Sequence, residues 1–243
     1  MSQKTSRAHA ESRREQRKRR TRVQLVIAVV VVAVVVVAFL ILLNRPTSTP
    51  TVASNFDGLT QEVVTTDGAI GLAIGDPSAP LTLYEYGDFS CPHCHDLSPI
   101  INQLINDYVR PGKLRIVYKP ITFVNPATSV PGAAAAVCAA EQGKGWEMID
   151  QVWAIYGSSG PGAYTEANLA AQAQAIGIDV NQWRSCFVSA QVNTELNAVL
   201  TEAQQKAIQG TPTLYLNDQI IPWRGPETAY TDITLAINQA QGQ

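Results

Sequence analysis

Hydrophobic positions change period several times along the chain, and each change marks a predicted element. Residues 23–43 hold one polar side chain, Gln24, and no charge. At about 1.5 Å per residue such a run spans roughly 31 Å as a helix, the thickness of a bilayer's hydrocarbon layer. It predicts a transmembrane helix. Residues 44–66, with Pro46, Pro50 and many Ser and Thr, show little periodicity and predict a linker. Residues 69–74 are short and apolar and predict an edge strand. After turn signals at Asp76-Pro77 and Ala79-Pro80, residues 81–86 predict a second strand. From Cys91 onward, Leu97, Ile100, Ile101, Leu104, Ile105 and Tyr108 recur at helical spacing until Pro111-Gly112. Residues 113–119 then alternate as a strand, and two strands joined by a crossover helix run parallel.

A long helical region follows. Pro131-Gly132 opens an Ala-rich run to residue 142, and Trp146, Ile149, Val152, Trp153 and Tyr156 continue the pattern. Residues 157–162 read as a loop. Thr165, Asp179 and Ser189 open three further helices, ending near residues 176, 186 and 208. Residues 213–216 and 219–221 form a hairpin about Asn217-Asp218, and a last helix covers 226–240. The outline is an α/β one: strand, helix, strand, helical insert, hairpin, helix.

Charge changes the picture at the amino terminus. The chain of 243 residues has 18 Lys and Arg and 20 Asp and Glu, a net charge of −2. Nine of the basic residues and two of the acidic ones fall within residues 1–22, leaving nine basic against eighteen acidic beyond. A basic arm before an apolar run places the arm in the cytoplasm and residues 44–243 outside. The run exceeds the roughly 7–15 apolar residues of a cleaved signal peptide, so an uncleaved single-pass anchor in the plasma membrane is expected. The acidic body argues against nucleic acid as its partner.

Candidate chemistry centres on Cys91-Pro92-His93-Cys94, where a strand gives way to a helix. The first N–H groups of a helix are unpaired and carry partial positive charge, which favours a thiolate. Alone, a C-x-x-C suits a redox pair or half a zinc site. Cys91, Cys94 and His95 offer three metal ligands, but no fourth is apparent. His95 reads as a solvent-facing residue of the first turn. Cys138 and Cys186, 48 residues apart in the helical region, read as a structural disulfide pinning two helices; a second redox relay is the alternative. Trp146, Trp153 and Tyr156 read as core of the insert rather than a peptide groove.

These residues resemble the DsbA-like branch of the thioredoxin superfamily over residues 69–241. Cys91-Pro92-His93-Cys94 is similar to its active-site tetrapeptide. Glu85, six residues earlier, stands where that family carries a buried acid. Thr211-Pro212 before the hairpin resembles its cis-proline loop, and the helical insert matches as well. The resemblance implies a thioredoxin fold over residues 67–243, with an inserted helical subdomain over about 127–208, preceded by one transmembrane helix. It implies Cys91 as the attacking thiolate and Cys94 as the resolving thiol. Pro92 and His93 are then part of the exchange site, with a donor role for His93, and Glu85 relays the proton of Cys94. Thr211 and Pro212 receive a substrate segment as an added strand.

The function so implied is thiol–disulfide exchange that introduces disulfides into exported or cell-envelope proteins, with reoxidation by a membrane quinone-linked partner and no cofactor of its own. A strongly depressed Cys91 pKa is expected. An isomerase or reductase is the rival, because DsbA-like oxidases often carry valine where this chain has Thr211. Such isomerases usually dimerise through an added amino-terminal domain, for which residues 45–66 are too few, so a monomer is expected. A non-catalytic peptide- or metal-binding module is the third possibility, against which the intact Cys91 and Cys94 speak.

Overall fold

The computed structural model describes residues 55–242. The basic arm, the apolar run 23–43 and residues 44–54 of the expected linker lie outside them. Among the described residues no helix is long and apolar enough to cross a membrane.

Six strands make one sheet: β1 (Gln61–Thr66), β2 (Ala69–Ile74), β3 (Leu81–Gly87), β4 (Leu114–Pro120), β5 (Thr213–Leu216) and β6 (Gln219–Ile221). Their order is β1-β2-β4-β3-β5-β6. β3 and β4 are parallel, in the register Glu85 to Tyr118 and Tyr86 to Lys119, and every other pairing is antiparallel. The parallel pair is joined by α1 (Pro92–Leu104), which ends in a π-helical turn over Ile105–Val109. The insert consists of α2 (Pro126–Ala140), α3 (Gly145–Ser159), α4 (Glu166–Ala175), α5 (Val180–Phe187) and α6 (Ala190–Gln205), and α7 (Pro226–Ala240) closes the chain.

Two expectations are corrected. Residues 61–66, assigned to the linker, are strand β1, so β2 lies inside the sheet and β1 takes the edge. The side chains of β1 are largely exposed, which is why it shows no apolar period. What fixes it is the turn Asp67-Gly68, both residues at positive φ (52° and 79°), the conformation that a two-residue hairpin demands. Gln61 also ties β1 to the start of α3: its Oε1 accepts from the Trp146 N–H at 3.0 Å and its Nε2 donates to Glu147 at 2.7 Å. The second correction is the start of α2. It opens at Pro126 behind Asn125, and Pro131 lies inside it. Both prolines suit a first helical turn, and Pro126 takes the role.

Alternation along β3 and β4 gives the sheet two apolar faces. Leu83, Ile116 and Tyr118 join the main core with α1, α7 and the insert. Tyr86 faces the other way, with Val199 and Ala203 of α6. On that side the ammonium of Lys119 donates to Glu202 at 2.8 Å and to the Ala69 carbonyl at 3.1 Å, and the Tyr86 hydroxyl donates to Glu202 at 2.8 Å. All three side chains are at most 3% exposed. Cys138 of α2 and Cys186 of α5 form the expected disulfide, with Cα atoms 5.6 Å apart.

Candidate active site

β3 ends at Gly87, where the Tyr118 ring leaves no room for a side chain: a Cβ there would come within 2.6 Å of Tyr118 Cε2. The next residue, Asp88, is fully buried and shapes the turn into α1. Its carboxylate accepts from the Ser90 N–H at 2.8 Å and the Val124 N–H at 2.9 Å, and its carbonyl accepts from the Cys91 N–H at 2.9 Å. Cys91 thereby becomes the N-cap of α1 with Pro92 in the first turn, and both cysteines are reduced.

Across from them Thr211-Pro212 is a cis peptide. The Cys91 thiol donates to the Thr211 carbonyl at 3.2 Å. The Cys91 pKa is held down to about 5. The Cys94 thiol as donor is the largest cause, followed by the Thr211 side chain and the backbone N–H groups of Cys94 and His93, against the effect of burial. The Thr211 hydroxyl, buried without another partner, is among the groups that favour the thiolate. Cys94, fully buried one turn in, is pushed the other way by burial first and then by Cys91 and Glu85. Beneath the pair lies Glu85, 3% exposed, its carboxyl pushed up to about 8 by burial and then by Cys91. The two thiols are thus opposites: one ionised at neutral pH, one kept protonated beside a protonated acid.

With this geometry the comparisons have a site to bear on. A family model described as thioredoxin matches residues 69–235. The chain belongs to the thioredoxin family. Among curated relatives, the Na(+)/H(+) antiporter NhaA 1 of Salinispora arenicola is 32% identical over 145 residues, which is 59% of this chain and 21% of the antiporter. The chain therefore spans about a fifth of that relative's length. A probable disulfide bond formation protein D of Bacillus anthracis is 24% identical over 152 residues, 61% of this chain and 70% of that protein. The solved structure of oxidised BdbD from Bacillus subtilis aligns with a TM-score of 0.62 at 20% identity, over 70% of this chain and 92% of BdbD. At that identity the likeness is one of fold. The DsbA-like resemblance of the sequence agrees with the family model, the Bacillus anthracis relative and the fold of BdbD.

Pro92, His93 and Cys94 lie in the first turn of α1 behind Cys91, which faces Thr211-Pro212, with Glu85 buried nearby. His93 contributes its backbone N–H, while its imidazole is exposed, with Nδ1 3.9 Å from Asp96 and its ring 6.3 Å from that of Trp223. His95 keeps a third of its side chain in solvent (34%), while its ring stacks on Tyr156 at 4.8 Å and meets Trp153 edge-on at 6.0 Å. Gly157 leaves room for it, since a Cβ there would lie 3.2 Å from His95 Nε2. Among the described residues no three His, Cys, Asp or Glu side chains gather to hold a metal ion. Trp146 and Trp153 are buried core. Asp88 and Tyr118 escaped the sequence reading. For Asp88 a signal existed, an Asp two residues before the Ser whose N–H it accepts, just ahead of a helix start.

Proposed function

We propose that the protein is a membrane-anchored, extracytoplasmic thiol–disulfide oxidoreductase that introduces disulfides into exported or cell-envelope proteins through Cys91 and Cys94. The observation that carries the reading is the divided pair: Cys91 held down to about 5 at a helix start beside a cis-proline, and Cys94 buried and pushed up. In the disulfide form, a substrate thiolate attacks Cys91 Sγ, forming a mixed disulfide and breaking the Cys91–Cys94 bond. Cys94 leaves as a buried thiolate and takes a proton from Glu85. The second substrate thiolate then attacks its own sulfur in the mixed disulfide, and Cys91 leaves as a stabilised thiolate. Counted from the substrate dithiol and with Glu85 reprotonated, two electrons pass to the enzyme, Cys94 keeps one of the two protons, and one is released. Stabilising the Cys91 thiolate stabilises the reduced enzyme, which makes its disulfide the stronger oxidant.

In this reading residues 23–43 are the anchor and the basic arm is cytoplasmic. The antiporter relatives support a membrane setting, since a stretch like this one is part of a Na(+)/H(+) antiporter. Reoxidation falls to a membrane quinone-linked partner, and the protein acts as a monomer. The reduction potential of the pair tests the direction. A value well above that of thioredoxin, about −270 mV, is expected, and a value near it overturns the oxidase reading in favour of a reductase. One observation favours the isomerase reading, the threonine at 211, but its hydroxyl is among the groups that hold the Cys91 pKa down.

A further inference from the structure

The two faces of the sheet are covered unequally. On one, Leu83, Leu214 and Leu216 lie in the main core with Ile233 and Ile237 of α7. On the other, α6 packs against β2 and β4 and leaves Tyr84 of β3 and Tyr215 of β5 only half-buried. Alternate residues of a strand share a face, so Tyr86 stands beside Tyr84 there. Tyr215 is opposite Tyr84 in register, and its ring meets that of Tyr86 edge-on at 6.0 Å. Over these three rings opens a cleft of about 400 Å³, a volume within the roughly 300–1,000 Å³ of small-ligand sites. β2 and β5 run antiparallel to β4 and β3, so the β1–β2 turn and the β5–β6 turn are at opposite ends of the sheet. The cleft reaches both and is therefore elongated. Thr66 and Asp67 line one end, Asn217 and Asp218 the other, and α6 contributes Glu202 and Lys206.

We infer that this cleft is a binding site for an elongated aliphatic amine, with Tyr84, Tyr86 and Tyr215 around its stem and Asp218 at its ammonium. The charge account decides the class. Counting Lys119 behind Glu202, three carboxylates stand against two ammonium groups, so the cleft is net negative. Both ammonium groups are already engaged, Lys119 by Glu202 and Lys206 by Asp67 at 3.1 Å. An anion would therefore meet repulsion and find no free cation. Among the described residues Asp218 pairs with none either, and the Thr66 Oγ1 at the far end is buried without a hydrogen bond. A wholly apolar ligand would leave that hydroxyl unpaired and cover a carboxylate, at a cost on both counts. An alkylammonium matches every part: the rings take its methylenes and attract its charge, Asp218 pairs with it, and a polar group at its other end meets Thr66. Free amines and the lysine side chain of a polypeptide share this chemistry. The site is on the opposite face of the sheet from Glu85 and Cys94 and does not depend on thiol–disulfide exchange.

The test is titration calorimetry on the full chain in a non-ionic detergent at low salt, with two probes: 1,5-diaminopentane and N-acetyl-lysine methylamide. Their uncharged counterparts, 1,5-pentanediol and the Nε-acetylated amide, are the controls. At least one amine should bind with a dissociation constant of about 1 mM or lower, within reach of a ligand of this size. Binding should weaken as salt is added, and the tighter of the two probes names the source. Asp218→Asn, an exposed change at a turn, should weaken it by about threefold, as an exposed ion pair does. Tyr215→Leu leaves the charge of the cleft unaltered and should weaken it by roughly three- to thirtyfold, as the loss of a cation–π partner does. That variant separates the site from general adsorption on an acidic surface. Absence of binding by both amines overturns the inference. So does an uncharged counterpart that binds as tightly as its amine, or wild-type affinity in both variants.

Discussion

Glu85 shows how much one residue can cost the fold it serves. Below pH 4.5, its ordinary value, the carboxyl is neutral whether the chain is folded or not. Between there and the folded value of about 8, the unfolded chain releases the proton and the folded chain retains it, so stability falls as pH rises. At pH 7 the loss amounts to roughly 3 kcal/mol. Glu85→Gln should therefore match wild type in urea unfolding near pH 4 and exceed it by about that much at pH 7, while slowing exchange. An advantage independent of pH would show that the carboxyl is not the source. Glu85 was legible in the sequence because its spacing from Cys91 is local, as is that of Cys94. Tyr118 was not, since only the parallel register brings it behind the pair. The ring neighbours of His93 and His95 were not legible for the same reason: they are Trp223, Trp153 and Tyr156, from distant parts of the chain.

Elements are joined here by two kinds of fastening. The disulfide joins α2 to α5 across 48 residues, and its loss should cost roughly 3–4 kcal/mol in the chain-entropy account. Urea unfolding of Cys138→Ala/Cys186→Ala measures this, and the Cys91 thiolate midpoint should not move, because the cross-link lies away from the pair. A redox relay would instead alter exchange. The second fastening is Glu202, which joins α6 to the sheet through Lys119 and Tyr86. Glu202→Gln leaves a buried ammonium without its counter-charge and should cost about 3–5 kcal/mol, whereas Lys119→Met/Glu202→Leu should recover most of it. A double variant as unstable as the single one would show that shape, not charge, holds α6. Most element boundaries could be read from apolar period and turn residues. β1 could not, because an edge strand with polar side chains has no period, although Asp67-Gly68 marked its turn as clearly as Asn217-Asp218 marked that of β5 and β6.

For the whole molecule the redox state of one pair becomes a property of the entire fold. The Cys91 pKa is held down to about 5 in the folded dithiol, against an ordinary value of 9.0. A depressed pKa contributes stability in full above the ordinary value and loses it as pH falls through the folded one. At pH 7 about two pH units separate the solution from the folded value, worth roughly 2.7 kcal/mol, or near 60 mV for a two-electron couple. Cys94 adds nothing to this near neutrality, because it stays protonated in both the folded and the unfolded chain. The dithiol form should then be the more stable one at pH 7 and lose its advantage toward pH 5. Urea unfolding of both forms across that range measures the difference, in the Cys138→Ala/Cys186→Ala background so that only the active pair responds to the reductant. A disulfide form more stable than the dithiol at pH 7 would make the protein a reductant, because the fold would then favour the product of its own oxidation. The expected order makes it an oxidant: folding itself draws electrons toward Cys91.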